Sequence, residues 1–265
     1  MSLEILQDKR VRSVEWKDLL SLSKWEIFHE LHMTIPWFLL AWFFAYIKFY
    51  PLALIFSFLF FLVGLRQGHN AFHYALGVSK PISERVLVIL GILMLCSMHA
   101  IKANHLHHHK CCLSDDDLEG SSAKMEWWQA IFFGPMFYFK LHINGFKIAT
   151  KKDKAYIFIE CVLCFLVLVV VIFFFPHSVL LYHLGAMITG QFLTAFFAVW
   201  TVHHHCDDSH FIARTIRNKI KSSLTFNMFY HVEHHLYPKV PTCHLPELSR
   251  RLDQHAPELS KMRVI

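Results

Sequence analysis

Hydrophobic and polar positions along the chain fall into long blocks rather than short alternations. Residues 35–49 are almost wholly apolar, Pro51 interrupts them, and a second run covers 52–65. Each run alone is short of the ~20 apolar residues that a membrane-crossing helix needs. With their flanks they predict a hairpin of two spans, at about 33–50 and 52–73. Residues 156–175 form the clearest span, Pro176 and His177 make a tight turn, and residues 178–202 form a fourth. Gly185, Gly190 and Gln191 in that fourth span suit close packing against a neighbouring helix.

Two further stretches read differently. Residues 86–98 are apolar but only about 13 long, which fits a re-entrant or interfacial helix over about 86–101. Residues 127–148 mix Trp127, Trp128, Phe132, Phe133, Phe137 and Tyr138 with Lys140 and Lys147, the composition of an amphipathic helix lying among headgroups. Residues 1–34 are mixed and charged, with Trp16 and Trp25 placed to meet a membrane surface; they do not read as a cleavable signal. Residues 203–265 are polar and rich in histidine. The expected architecture is all-α: one membrane-embedded unit over 1–265, with about four transmembrane helices and a cytosolic helical cap.

Composition supports this. Of 265 residues, 55% are hydrophobic and 26 are Phe, with mean hydropathy +0.37. A formal charge of +6 suggests nucleic acid only until the basic residues are located. They lie in loops between apolar runs and form no stripe, so nucleic acid is excluded as a partner. Their distribution orients the chain instead. Five Lys and Arg fall in residues 1–34, eleven in 66–155 and nine in 203–265, leaving Lys48 alone for the opposite side. By the positive-inside rule both termini and every histidine cluster face the cytoplasm. The seven cysteines make no framework. Cys111 and Cys112 are adjacent, and Cys161 and Cys164 share a helix face as small apolar residues.

The chemistry lies in the 21 histidines. His231, His234 and His235 are spaced i, i+3, i+4 and share one helix face. His105, His108 and His109 repeat the spacing, with His107 facing away, and His69 and His73 stand at i, i+4. A lone histidine on an apolar helix is usually structural. His29, His32, His99, His142, His177, His183, His244 and His255 are read so, and His210 as part of a solvated loop. Three clusters at helical spacing, each near the end of an apolar stretch, point to metal, because neutral imidazole is the commonest transition-metal ligand. Eight histidines exceed one tetrahedral shell, so two metals fit the count. Spacing alone does not separate iron, zinc, copper and nickel. The place where helices leave the bilayer favours iron, which with O2 attacks unactivated C–H bonds; zinc has no redox chemistry. The acidic run 115–119 reads as a solvated turn, since the ligand spacing of a calcium loop is missing.

The segments HNAFH, HLHHH and HVEHH, in that order, resemble the HxxxH, HxxHH and HxxHH boxes of the membrane fatty acid desaturase superfamily, which also holds lipid hydroxylases, carotenoid ketolases and alkane hydroxylases. The run HVEHHLYPKVPTCHLPEL extends the likeness, which covers about residues 35–250. It implies a four-span helical fold with a cytosolic cap and two irons held by about nine histidines, activating O2 to remove hydrogen from a hydrocarbon chain. The ligands it implies are His69, His73, His105, His108, His109, His231, His234 and His235. One more is expected just after the fourth span, among His203, His204 and His205. His204 is preferred, because family members tend to carry Gly or Cys two residues after that ligand, here Cys206. His231 stands where front-end desaturases have Gln, which argues against that branch. No GxGxxG turn and no fused cytochrome b5 are seen, so electrons are expected from a separate ferredoxin or cytochrome b5 attracted to the basic face.

The expected activity is desaturation of a fatty acyl or other lipid chain. Hydroxylation or ketolation of a lipid or a carotenoid by the same site is the alternative within enzymes. A metallohydrolase would need a general base, and Glu233 is the one carboxylate inside a box. A metal transporter or sensor is the alternative of another class; the near absence of carboxylates from the spans, Glu160 apart, argues against it.

Overall fold

The computed structural model describes residues 4–206 and 212–261. His210 and its neighbours lie outside the described residues. The fold is helical, and among the described residues the one β-bridge pairs Thr215 with Tyr230.

Two one-turn helices, α1 (Glu4–Gln7) and α2 (Lys9–Arg12), precede α3 (Lys24–His32). A reciprocal Ser23–Glu26 capping box starts α3. The hairpin follows as α4 (Ile35–Tyr46) and α5 (Tyr50–Phe72), with Lys48 at positive φ in the turn and proline in the first turn of each helix. Twelve residues of α4 rise only ~18 Å against a ~30 Å hydrocarbon core, so the stretch 33–50 is not a full-length helical span. At 23 residues α5 is long and apolar enough to cross.

The stretch 86–101 is not one helix. The first part, α6 (Lys80–Met94), ends at Leu95 in the left-handed conformation, and α7 (Met98–Cys111) departs at 114°. The bend is built in polar chemistry. The Ser97 hydroxyl caps α7 through Ala100 N–H and donates to Glu160 Oε2 at 2.6 Å. This turn moves α7, with its five-residue histidine segment, across the ends of the long helices.

Next come α8 (Trp127–Ile148) and α9 (Lys151–Val169), which continues as a π-helical turn (Val170–Phe174). The combined Lys151–Phe174 segment is the second helix able to cross a membrane. Its apolar side chains face outward, Phe165 at 64% and Phe173 at 74% exposure, as lipid contact requires. The last long segment is α10 (Ser178–Phe192), a π-helical stretch (Ala195–Trp200) and α11 (Thr201–His203), bent by 41°. The chain therefore has two to four membrane-crossing segments, four if each bent pair counts as one span, and is an integral membrane protein. Gly134 lets α8 approach the Phe192 carbonyl so closely that any Cβ would collide with it.

The remaining segments form a layer over one end. They are α12 (Lys219–Leu224), α13 (His231–Leu236) and α14 (Leu245–His255). Leu245, Leu248 and Leu252 share one face of α14 and are buried with Ile5 and Val11 of the first two helices. The N-terminal segment and the C-terminal helix thereby close a small apolar core around α13.

Candidate metal centre

Three elements bring the histidines together. The C-terminal end of α5 supplies His69 and the cap position His73. The bend before α7 brings His105, His108 and His109 beside them. The six-residue α13 supplies His231, His234 and His235. So short a helix is marginal by itself. Here Thr215 pairs with Tyr230, and the Thr215 hydroxyl donates to Glu233 at 2.8 Å. Glu233 also faces the Arg217 guanidinium at 2.9 Å. The carboxylate in the third box is thus tied to the scaffold, and it joins neither of the histidine groups described below.

The imidazoles separate into two groups. His69, His73, His105, His109 and His234 form one; His108, His203, His231 and His235 form the other, with the ligating atoms of each group within 4.8 Å of one another. Neighbouring Nε2 atoms stand 3.1 Å apart for His73–His105 and His105–His109, and 2.8 Å for His109–His234. In the second group they are 3.1 Å for His108–His203, 3.0 Å for His203–His231 and 3.2 Å for His231–His235. Ligands held ~2.0–2.1 Å from one ion lie about 2.9–3.4 Å from one another, so the spacing fits a metal in each group.

The ninth histidine of the two groups is His203, and His204 joins neither. Helix α11 ends at His203, whose ring projects into the second group. His204 is already extended. Its ring stacks on Trp200 with centroids 4.0 Å apart, and its Nδ1 donates to the Trp200 carbonyl. His205 follows at positive φ. The preference for His204 rests on Cys206 two residues after it, a pattern that does not report which ring turns inward where α11 ends. His107 is in neither group.

Hydrogen bonds at the rear nitrogens define what the front ones present. His203 Nδ1 lies 2.9 Å from the Ile212 carbonyl, which can only accept, so Nδ1 carries the proton and Nε2 a lone pair. His108 Nδ1 lies 2.6 Å from Asp117, and His105 Nδ1 lies 2.8 Å from Glu119. Such carboxylate–imidazole pairs are the usual outer partners of metal-ligating histidines. The acidic run is thus not simply a solvated turn. Asp115 is fully exposed, but Asp117 is 3% exposed and also accepts from the Leu113 and Gly120 N–H groups.

Burial favours the neutral form, the one that binds metal, at His73 and at the histidines of the third box. It pulls His73 down to about 3, and together with neighbouring imidazoles holds His231, His234 and His235 well below the usual histidine range. Burial also raises Glu119 to about 7.

The Nε2 atoms of His108 and His203 meet at 3.1 Å in a buried site. His69 Nε2 is buried with no hydrogen-bond partner. A buried nitrogen without a partner is costly unless a cation lies against it.

Outside the two groups, His99 lies fully buried between Glu84 and Glu160, 2.7 Å from each, and Lys102 joins Glu84 at 3.0 Å. Glu160 is thus a fixed partner of the α7 bend. On the other flank Arg66 pairs with Glu30 through two short hydrogen bonds, and Asn70, within the first box, donates to Glu30 and accepts from Thr242. The two networks clamp α5 and α7, the helices that carry five of the nine histidines.

The sequence model of one protein family, described as fatty acid desaturase, matches residues 46–264. That span includes all nine clustered histidines. No curated protein and no solved structure matches the chain.

Proposed function

The chain belongs to the fatty acid desaturase family, and we propose that it is a di-iron, O2-dependent oxidoreductase that desaturates a lipid hydrocarbon chain. The observation that supports this reading best is the convergence of nine imidazoles in groups of five and four, the ligating atoms of each group lying within 4.8 Å of one another. The residues fit two metal ions. His69, His73, His105, His109 and His234 would hold one, and His108, His203, His231 and His235 the other.

Bound iron would supply the redox chemistry with O2 that removes hydrogen from an unactivated hydrocarbon. The chain's own residues perform the rest. Asp117, Glu119 and the Ile212 carbonyl fix the imidazole tautomers and orientations. The Glu30–Arg66–Asn70 network and the His99 network hold the two box-bearing helices in register. Apolar walls around the centre exclude water and accept a hydrocarbon, as Leu65, Phe72 and Ile101 do beside His69 and His105.

We place the histidine centre and both termini on the cytoplasmic side, on the charge distribution along the chain. Electrons would come from a ferredoxin or a cytochrome b5. Lys110 and Lys239, each a few residues from a box, are exposed and would attract an acidic carrier.

Lipid mass spectrometry of cells with and without the protein tests the reading. An O2-dependent product lacking two hydrogens supports desaturation, and a product gaining one oxygen would assign hydroxylation to the same centre. Exchangeable zinc with no oxidised lipid would contradict both and favour metal transport.

A further inference from the structure

Three cavities meet at one side chain. The largest, about 400 Å³, is a groove between α5 and α10 that includes Leu54, Phe58, Leu181 and Gly185. A second, about 80 Å³, lies against His69, His105 and His231. A third, about 50 Å³, lies against Glu119, His142 and Gln191. Leu65 lines all three, and Met228 lines the first two.

The groove is built for hydrocarbon. Its polar wall groups are satisfied among themselves: Ser57 and Tyr182 share a hydrogen bond of 2.9 Å, and Thr189 donates to the Gly185 carbonyl. A guest finds no free donor or acceptor there, so only an apolar chain gains by entering. Its volume is that of a small-ligand site. Leu54 and Phe58 are 56% and 45% exposed on a membrane-crossing helix, so the groove opens toward lipid. From Leu54 to Leu65 it follows α5 for about 16 Å, and His69 is one turn, roughly 6 Å, further on.

Leu65 and Met228 stand between groove and metal centre, and both are held in place. The residue after Leu65 is Arg66, fixed by Glu30, and its Nε donates to the Phe226 carbonyl at 2.8 Å. Phe226 and Asn227 both adopt positive φ immediately before Met228. The loop that carries Met228 is therefore tied to the helix that carries Leu65.

We propose that the α5–α10 groove admits the substrate's hydrocarbon chain sideways from the bilayer, and that Leu65 with Met228 forms the gate between groove and centre. The gate sets how far the chain reaches, and so which carbon is oxidised. The inference rests on the lipid-oxidising reading above and specifies its substrate as an apolar chain already dissolved in the membrane.

Gly185 provides the clean test, because a Cβ there meets nothing within 4 Å. Gly185→Phe places a ring in the groove from a position where its Cβ has open space, and Leu65→Phe narrows the gate. Each is expected to reduce oxidised lipid by tenfold or more, with iron per chain and melting temperature unchanged. Leu65→Ala is expected to move the oxidised position along the chain. Equal product at the same carbon from wild type and all three variants overturns the gate while leaving the oxidase intact. An inactive wild type overturns the oxidase instead. In that case purified protein in phosphatidylcholine nanodiscs carrying a diazirine-tailed fatty acid decides the groove. Labelling of the Leu65 and Met228 peptides that Gly185→Phe abolishes supports it, and labelling that Gly185→Phe leaves unchanged overturns it.

Discussion

The Nε2 atoms of His203 and His231 lie 3.0 Å apart, joining the end of the last long helical segment to the six-residue α13. This contact decides which of three consecutive histidines belongs to the centre. His203→Ala is expected to lose more activity than the ~10–100-fold typical of an outer partner, and to retain at most one of two irons. His204→Ala removes a stack on Trp200, about 0.5–1.5 kcal/mol, and is expected to keep both irons and activity. Iron analysis of the two purified variants checks this, and the reverse pattern would restore His204 as the ligand.

Asp117 is the buried carboxylate behind His108. Asp117→Asn weakens the charge that orients the imidazole, and iron affinity or turnover is expected to fall ~10–100-fold. Asp115→Asn, fully exposed two residues earlier, is the control and is expected to change stability by less than ~0.5 kcal/mol. Iron titration against a competing chelator measures the first effect, and thermal melting the second.

Glu30 and Arg66 form a buried pair, with side chains 1% and 3% exposed. Glu30→Ala leaves the guanidinium uncompensated and also frees Asn70 of the first box. Removing one partner of such a pair costs ~3–5 kcal/mol. A melting transition in detergent that stays at the wild-type temperature would show that the pair is not part of the scaffold.

Metal-free protein is expected to lose stability as pH falls. The folded chain protonates His73 only near 3, because burial lowers it, whereas an unfolded chain takes the proton near 6.5. The depressed value means that this contribution is complete above about 6.5 and declines toward pH 3. The chelator-treated protein should melt lower at pH 5 than at pH 7, and His73→Ala should shrink the difference. Equal melting temperatures at both pH values would contradict the neutral, buried imidazole.

Much of this was legible from spacing and hydropathy. Periodicity in the apolar runs is a one-dimensional property, and it announced a helical membrane protein. The i, i+3, i+4 pattern likewise reports a shared helix face, and that face carries His105, His108 and His109. What the chain hid depends on three-dimensional closure. Leu95 in a left-handed conformation breaks the stretch 86–101 into two helices, and nothing in a Leu-rich run marks it. Which of His203, His204 and His205 turns inward is set where α11 ends, at His203, and Cys206 two residues after His204 does not report it. Asp117 looks like part of a solvated turn, because its partner, His108, is contributed by another element. Gly185 suggests helix packing and instead leaves open space beside α5.

The central claim is that nine histidines hold two irons, in groups of five and four. Metal analysis of the protein purified in detergent, with no metal added after cell lysis, tests it most directly. The account predicts two irons per chain and negligible zinc. One metal per chain, or two zinc ions, would contradict it.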